Sequence, residues 1–245
     1  MGKSTVAALM CDALIFRGEK RIAIVDGDAT TADVTRRYGA HAASSAVIGL
    51  ADPSEKERAI NKLLDYIAQV HLDVDAIVVN LPATASETVD PEAEIIRQTL
   101  EDLDLEPRIV YSASNNTVAF EALKQSFKQG LARACEKRLA LAPAFLRDDG
   151  LLKLLQKVVP DAAEFERLPA DTYALIQQHA TIPMYHLALG NHPDALKSPI
   201  QRIRISGWTQ RGIKTLAPVL EDVMGAYGRH TAAAQQAARE PVRAA

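Results

Sequence analysis

The sequence predicts a three-layer α/β fold, a mostly parallel sheet flanked by helices. Three observations carry this expectation. Short continuous apolar runs alternate with longer segments of helical period, the order that parallel crossovers require. The runs lack the polar alternation of a half-exposed sheet, as suits strands covered on both faces. With 245 residues, 48% of them apolar and 5% aromatic, the chain can bury one large core.

The elements follow in order. Residues 4–17 form a helical stripe through Val6, Leu9, Met10, Ala13 and Leu14, with Gly18 as its stop. Ile22-Ala23-Ile24-Val25 is the first strand and ends at Asp26. A capping box of Ser54 and Glu57 opens a helix over 54–70, and Ala76-Ile77-Val78-Val79 is the second strand. Asp90-Pro91 opens another helix. Arg108 to Tyr111 is the third strand, a helix spans about 117–136, and Leu139 to Ala142 is the fourth strand, halted by Pro143. A helix near 149–159 precedes a short strand from Glu164 to Leu168, and Asp171 caps the next helix. Residues 181–212 read as loop-rich, and a last amphipathic helix covers about 213–227. A single domain over 1–227 is therefore expected, followed by an Ala-, Gln- and Arg-rich tail over 228–245.

Composition narrows the function classes. No apolar run approaches a membrane span, and the first residues do not form a charged region ahead of a cleavage site. A cytoplasmic protein without membrane contact is the expectation. Cys11 and Cys135, far apart and without ligand spacing, read as buried thiols. The six His residues form no metal spacing, and a net charge of −3 argues against a strongly basic nucleic-acid binder. Lys197, Arg202, Arg204, Arg211 and Lys214 around Trp208 make one region locally basic. They read as a solvated face or as a phosphate-backbone contact.

Four segments carry chemistry. Gly2-Lys3-Ser4-Thr5 is the end of a phosphate loop running straight into a helix. Helix N–H groups would face an anion, Lys3 would meet phosphate, and the Ser4 hydroxyl could ligand Mg²⁺. An N-terminal helix cap is the plain alternative. The full motif has a strand and a glycine-rich turn ahead of it, whereas Met1 stands just before the last glycine. A fragment or a misassigned start accounts for this. The first strand is then expected to be missing from mid-sheet, leaving unpaired ladder groups and an open apolar slot. Asp26-Gly27-Asp28 places two carboxylates at a strand's C-terminal end, where open α/β sheets bind ligands. A polar turn would use the same residues. Asn80-Leu81-Pro82-Ala83 ends the second strand, with Pro82 shaping a loop. Leu168-Pro169-Ala170-Asp171 precedes a helix and Thr181-Ile182-Pro183. Ser112, Ser114, Asn115 and Asn116 follow a strand end, as ligand contacts or as helix caps.

GKST, a helix and RIAIVDGD together resemble the ParA/MinD-like P-loop ATPases, over roughly residues 2–190. The V-N-L-P segment is closer to plasmid stability and transfer members of the StbB/TraL type. The resemblance implies a P-loop NTPase fold using ATP and Mg²⁺. It makes Gly2, Lys3, Ser4 and Thr5 nucleotide-binding and gives Lys3 and Asp28 catalytic roles, Asp28 positioning water. It assigns Ser4 and Asp26 to magnesium, and the backbone of Leu168, Pro169 and Ala170 to the adenine. The chain departs from the family pattern at Ala29, where Pro is usual, and at Asn80, where a Walker B-like Asp is usual. An amide can touch the metal only through its bound water and carries no charge. The implied function is an ATP-binding, ATP-hydrolysing switch in plasmid stability, partition or conjugative transfer. A nucleotide-dependent homodimer, a DNA-binding adaptor protein and nonspecific DNA are its implied partners. A non-hydrolysing nucleotide-binding adaptor, favoured by Asn80, and an ATP-dependent ligase on the same fold are the rival readings.

Overall fold

A computed structural model describes residues 2–146, 150–191 and 197–224. The described residues hold six strands: β1 (Ile22–Asp26), β2 (Ser44–Val47), β3 (Ala76–Asn80), β4 (Arg108–Ser112), β5 (Lys137–Pro143) and β6 (Ala163–Phe165). They form two sheets, β2-β1-β3 and β4-β5-β6, and every pairing is parallel. The register sets Asp26 opposite Asn80 and Ser112 opposite Leu141. All five residues of β1 are buried, as its unbroken apolar run requires.

Helices cover both faces, giving the expected three layers. They are α1 (Lys3–Phe16), α2 (Asp33–Tyr38), α3 (Lys56–Val70), α4 (Ala85–Val89), α5 (Ala93–Asp102), α6 (Thr117–Gln129), α7 (Leu131–Ala134), α8 (Leu151–Gln156), α9 (Ala170–Gln178), α10 (Met184–Leu189), α11 (Pro199–Thr215) and α12 (Ala217–Met224). One core cluster is continuous across both sheets: Leu9 of α1 and Trp208 of α11 pack with Ile24, Val78 and Leu141. The remaining core is split. Val25 packs with Leu63 and Ile67 of α3, whereas Ala140 packs with Leu123 of α6 and Leu155 of α8.

The split coincides with a gap in the strand order. Among the described residues, β3 pairs only with β1, and β4 pairs only with β5. Between them lies a cavity of about 460 Å³, walled by both strands and by α1, α3, α5 and α12. This is the open apolar slot expected in the middle of the sheet.

Several local expectations are corrected. Residues 181–212 are mostly helical, in α10 and α11, and α11 runs to Thr215, so the expected last helix is two elements. Ser54 makes no capping box: it lies in a 3₁₀ turn and donates to Asp52. Asp90 opens no helix directly, because its carboxylate accepts from Ser126 Oγ and Leu131 N at 2.8 Å each. Asp171 lies inside α9 and bonds Gln201 and Arg204 of α11 rather than capping its own helix. The helix over 117–136 breaks at Gly130 into α6 and α7, and Pro143 is the last residue of β5. The strand expected over 164–168 is only Ala163–Phe165. The expected tail over 228–245 lies outside the described residues.

Candidate functional site

Lys3, Ser4 and Thr5 form the first turn of the 14-residue α1, and no side chain caps its N-terminus. The leading N–H groups therefore keep the partial positive charge of a helix start. Gly2 precedes them with φ +114°, a conformation L side chains rarely adopt, and a Cβ there would sit 3.3 Å from Ser112 Oγ. The head of α1 thus lies against the C-terminal end of β4. Burial lowers the Lys3 ammonium below its ordinary range, and the Asp28 carboxylate pulls it back up. Lys3 lines the cavity between β3 and β4 together with Asn80 and Ser112, at the carboxyl ends of both strands.

Asp26 ends β1 fully buried. One oxygen accepts the N–H groups of Val34 and Thr35, in the first turn of α2, at 2.9 and 3.1 Å. The other accepts the Asn80 side-chain amide at 2.8 Å. Asp26 therefore ties three elements together: β1, the start of α2, and the end of β3. Gly27 must be glycine, since a Cβ would meet Asn80 O at 2.8 Å and Pro82 Cδ at 2.9 Å. Its N–H donates to that same Asn80 carbonyl at 2.8 Å. Asp28 is half-buried and accepts the Thr30 N–H at 3.0 Å. The Asp-Gly-Asp turn, Asn80 and Pro82 form one packed corner beside the head of α1.

No group of three His, Cys, Asp or Glu among the described residues could cage a metal. Ser4 carries a hydroxyl, Asp26 a carboxylate and Asn80 an amide, the oxygen types that Mg²⁺ takes beside waters and substrate phosphates. Asp26 already holds three N–H donors, so it would serve such an ion through water. Ser4 and Thr5 line a small cavity of about 40 Å³ together with Leu168, which brings the late loop to the head of α1. That volume holds water rather than a base. Pro169 and Ala170 are exposed and do not line the cavity. Asn116 caps α6 by accepting from Val118 and Ala119, and Ser114 accepts from Asn116 N.

Two buried polar residues moor these elements, and the sequence reading did not single them out. Asp12 of α1 is fully buried; one oxygen accepts the Tyr38 hydroxyl and the Tyr185 N–H, both at 2.9 Å. Its second oxygen has no hydrogen-bond partner among the described residues. Arg37 of α2 donates to the carbonyls of Ile176, His179 and Ile182 around the end of α9. A charged residue inside the apolar stripe of α1 was the available signal for Asp12.

Burial raises the Asp12 carboxyl from 3.8 to about 6. The folded state then binds its proton more tightly than the unfolded chain does, so this group's contribution worsens as pH rises from about 4 to 6. The cost at neutral pH is on the order of 3 kcal/mol. Asp12→Asn keeps an acceptor oxygen without the charge. It is expected to raise neutral-pH stability by about 1–3 kcal/mol and to flatten the slope between pH 4 and 6. Urea unfolding across that range checks this, and an unchanged slope would refute the assignment.

Other expectations resolve simply. Cys11 and Cys135 are buried free thiols, both pushed up by burial, Cys135 to about 11. Trp208 is buried, its indole N–H donating to Glu166 O at 3.0 Å. Arg204 pairs with Asp171, and Arg211 with Glu166. No helix among the described residues is long and apolar enough to cross a membrane. No protein-family model and no curated protein sequence matches the chain.

Proposed function

We propose that this protein is an ATP-binding switch of the ParA/MinD-like P-loop class, serving plasmid stability, partition or conjugative transfer. One observation carries the reading. The head of α1, with Lys3, lines the same cavity as Asn80, whose amide bonds the Asp26 carboxylate at the end of β1. Anions bind where helix N–H groups and a lysine converge, and open α/β sheets take ligands at this edge. Lys3 would meet the β- and γ-phosphates, with Gly2, Ser4 and Thr5 supplying N–H groups. Ser4 would ligand Mg²⁺, while Asp26 and Asn80 would hold its waters. Asp28 would position the attacking water, and the Leu168–Ala170 backbone would flank the base. Nucleotide would drive homodimer formation and affinity for a DNA-binding adaptor, with nonspecific DNA as a further contact.

The Asn80–Asp26 hydrogen bond favours one alternative, a nucleotide-binding adaptor that does not hydrolyse. An amide bonded to the acid offers no second charge for an ion. Equilibrium ATP binding and phosphate release, measured on one preparation, separate the two. Release that falls at least about 100-fold in Asp28→Ala, with binding retained, marks the ATPase. Binding without release marks the adaptor. Absence of ATP binding up to millimolar concentration overturns both.

A further inference from the structure

The strand order leaves two outer edges, β2 on one sheet and β6 on the other. Among the described residues the strand neighbour of β2 is β1 alone, which leaves its other side open. Backbone direction alternates along a strand. The Ile48 N–H donates to Asp26 O on the β1 side at 2.9 Å, which turns the N–H and C=O groups of Val47 and Ser45 outward. Tyr66 of α3 donates to Ser44 Oγ at 2.8 Å and anchors one face of the strand. Ser45 and Val47, on the opposite face, are exposed.

Sheet proteins blunt such edges with charge or proline. β6 has both: Glu164 sits within it, and Pro160, Asp161, Glu166 and Arg167 flank it. β2 has neither. From Gly39 to Ala51 the chain reads GAHAASSAVIGLA, without Asp, Glu, Lys, Arg or Pro, although 24% of the whole sequence is charged. The edge thus offers no charge to select a foreign strand and none to repel an identical one. A two-fold axis at Ala46 would set Ser45 of one copy opposite Val47 of the other. Residues with outward backbone groups then meet, and each pair exchanges N–H···O bonds in both directions.

We propose that β2 is an interface for a second copy of this chain, pairing antiparallel with its own counterpart. The sheet β3-β1-β2 then continues through the two-fold axis into β2-β1-β3 of the other copy. A contact built on one short strand is small, so the dimer is weak and depends on concentration. It requires no nucleotide, and its failure would leave the nucleotide reading standing.

Sedimentation velocity and hydrogen exchange followed by NMR, both without nucleotide, test this. Between about 20 μM and about 1 mM protein, the sedimenting mass is expected to rise toward that of a dimer, and exchange at Ser45 and Val47 to slow at least about fivefold. Val47→Pro removes an outward N–H without taking a bond from β1. Val47→Lys places a charge on the exposed edge and serves where the proline impairs folding. Both variants should stay monomeric, with exchange at Ser45 independent of concentration. A parent chain that is monomeric throughout the range overturns the proposal and leaves the edge to a foreign strand. A dimer that persists in both variants overturns it too, since the contact then lies elsewhere. Ser45 and Val47 amides as protected as Ile24 at the lowest concentration would show the edge covered by the chain itself, which also overturns it.

Discussion

Asn80→Asp is expected to destabilise the protein by about 3–5 kcal/mol at pH 7. The Asn80 amide donates to buried Asp26 at 2.8 Å, so the substitution sets a second carboxylate against the first. Two such groups cannot both ionise there, and one is driven to hold its proton above the ordinary carboxylate range. The penalty is therefore fully present at pH 7 and shrinks as pH falls toward about 4, where the new carboxyl can donate as the amide did. Asn80→Ala is the control: it leaves one Asp26 oxygen without its donor, costs about 1–3 kcal/mol, and lacks that pH dependence. Urea unfolding at pH 7 and pH 4.5 measures both. An Asn80→Asp protein as stable as the parent at pH 7 would show that the amide–carboxylate bond does not hold this corner. The same geometry explains why the residue at the end of β3 is an amide: it completes the bonding of Asp26.

Arg37→Ala is expected to cost about 3–5 kcal/mol as well, for a different reason. The guanidinium reaches across from α2 and donates to three carbonyls near the end of α9, at 3.1 Å to His179 and 2.9 Å to Ile176, with Ile182 the third. Without it the buried Ile176 and Ile182 carbonyls lose this donor, at about 1–3 kcal/mol each before relaxation, whereas the His179 carbonyl keeps the Ile182 N–H at 3.1 Å. Arg37→Lys should recover only part of the loss, since one ammonium cannot reproduce the planar fork. The effect should reach the candidate site, because α2 also takes its first-turn bonds from Asp26. Unfolding midpoints in urea check the magnitude. A loss below about 1 kcal/mol would mean that α9 is held by other contacts.

Legibility followed the physics of each segment. RIAIV and DAIVV were readable as strands because a strand buried on both faces must be apolar throughout. β2 was not anticipated: Ser-Ser-Ala-Val is small and polar, and its residues alternate between half-buried and exposed at the sheet's edge. The segment 181–212 reads as loop in sequence because it holds several Pro and Gly and its apolar period is weak. The structure shows instead that Ile205, Trp208 and Ile213 bury its inner face. The Asp26–Asn80 pairing follows from register, which a single sequence does not give. Arg37 was invisible for the same reason, since its acceptors lie 139 to 145 residues away.

The central claim is that the head of α1 and the Asp-Gly-Asp corner bind nucleotide together. Titrating the isotopically labelled chain with ATP and Mg²⁺ and following its backbone amides tests it most directly. The account predicts saturable shifts at Gly2 to Thr5, at Gly27 and Asp28, and at Asn80. Lys3→Ala should weaken that response about ten- to hundredfold. Shifts confined to other parts of the chain, or a response unchanged in Lys3→Ala, would contradict it.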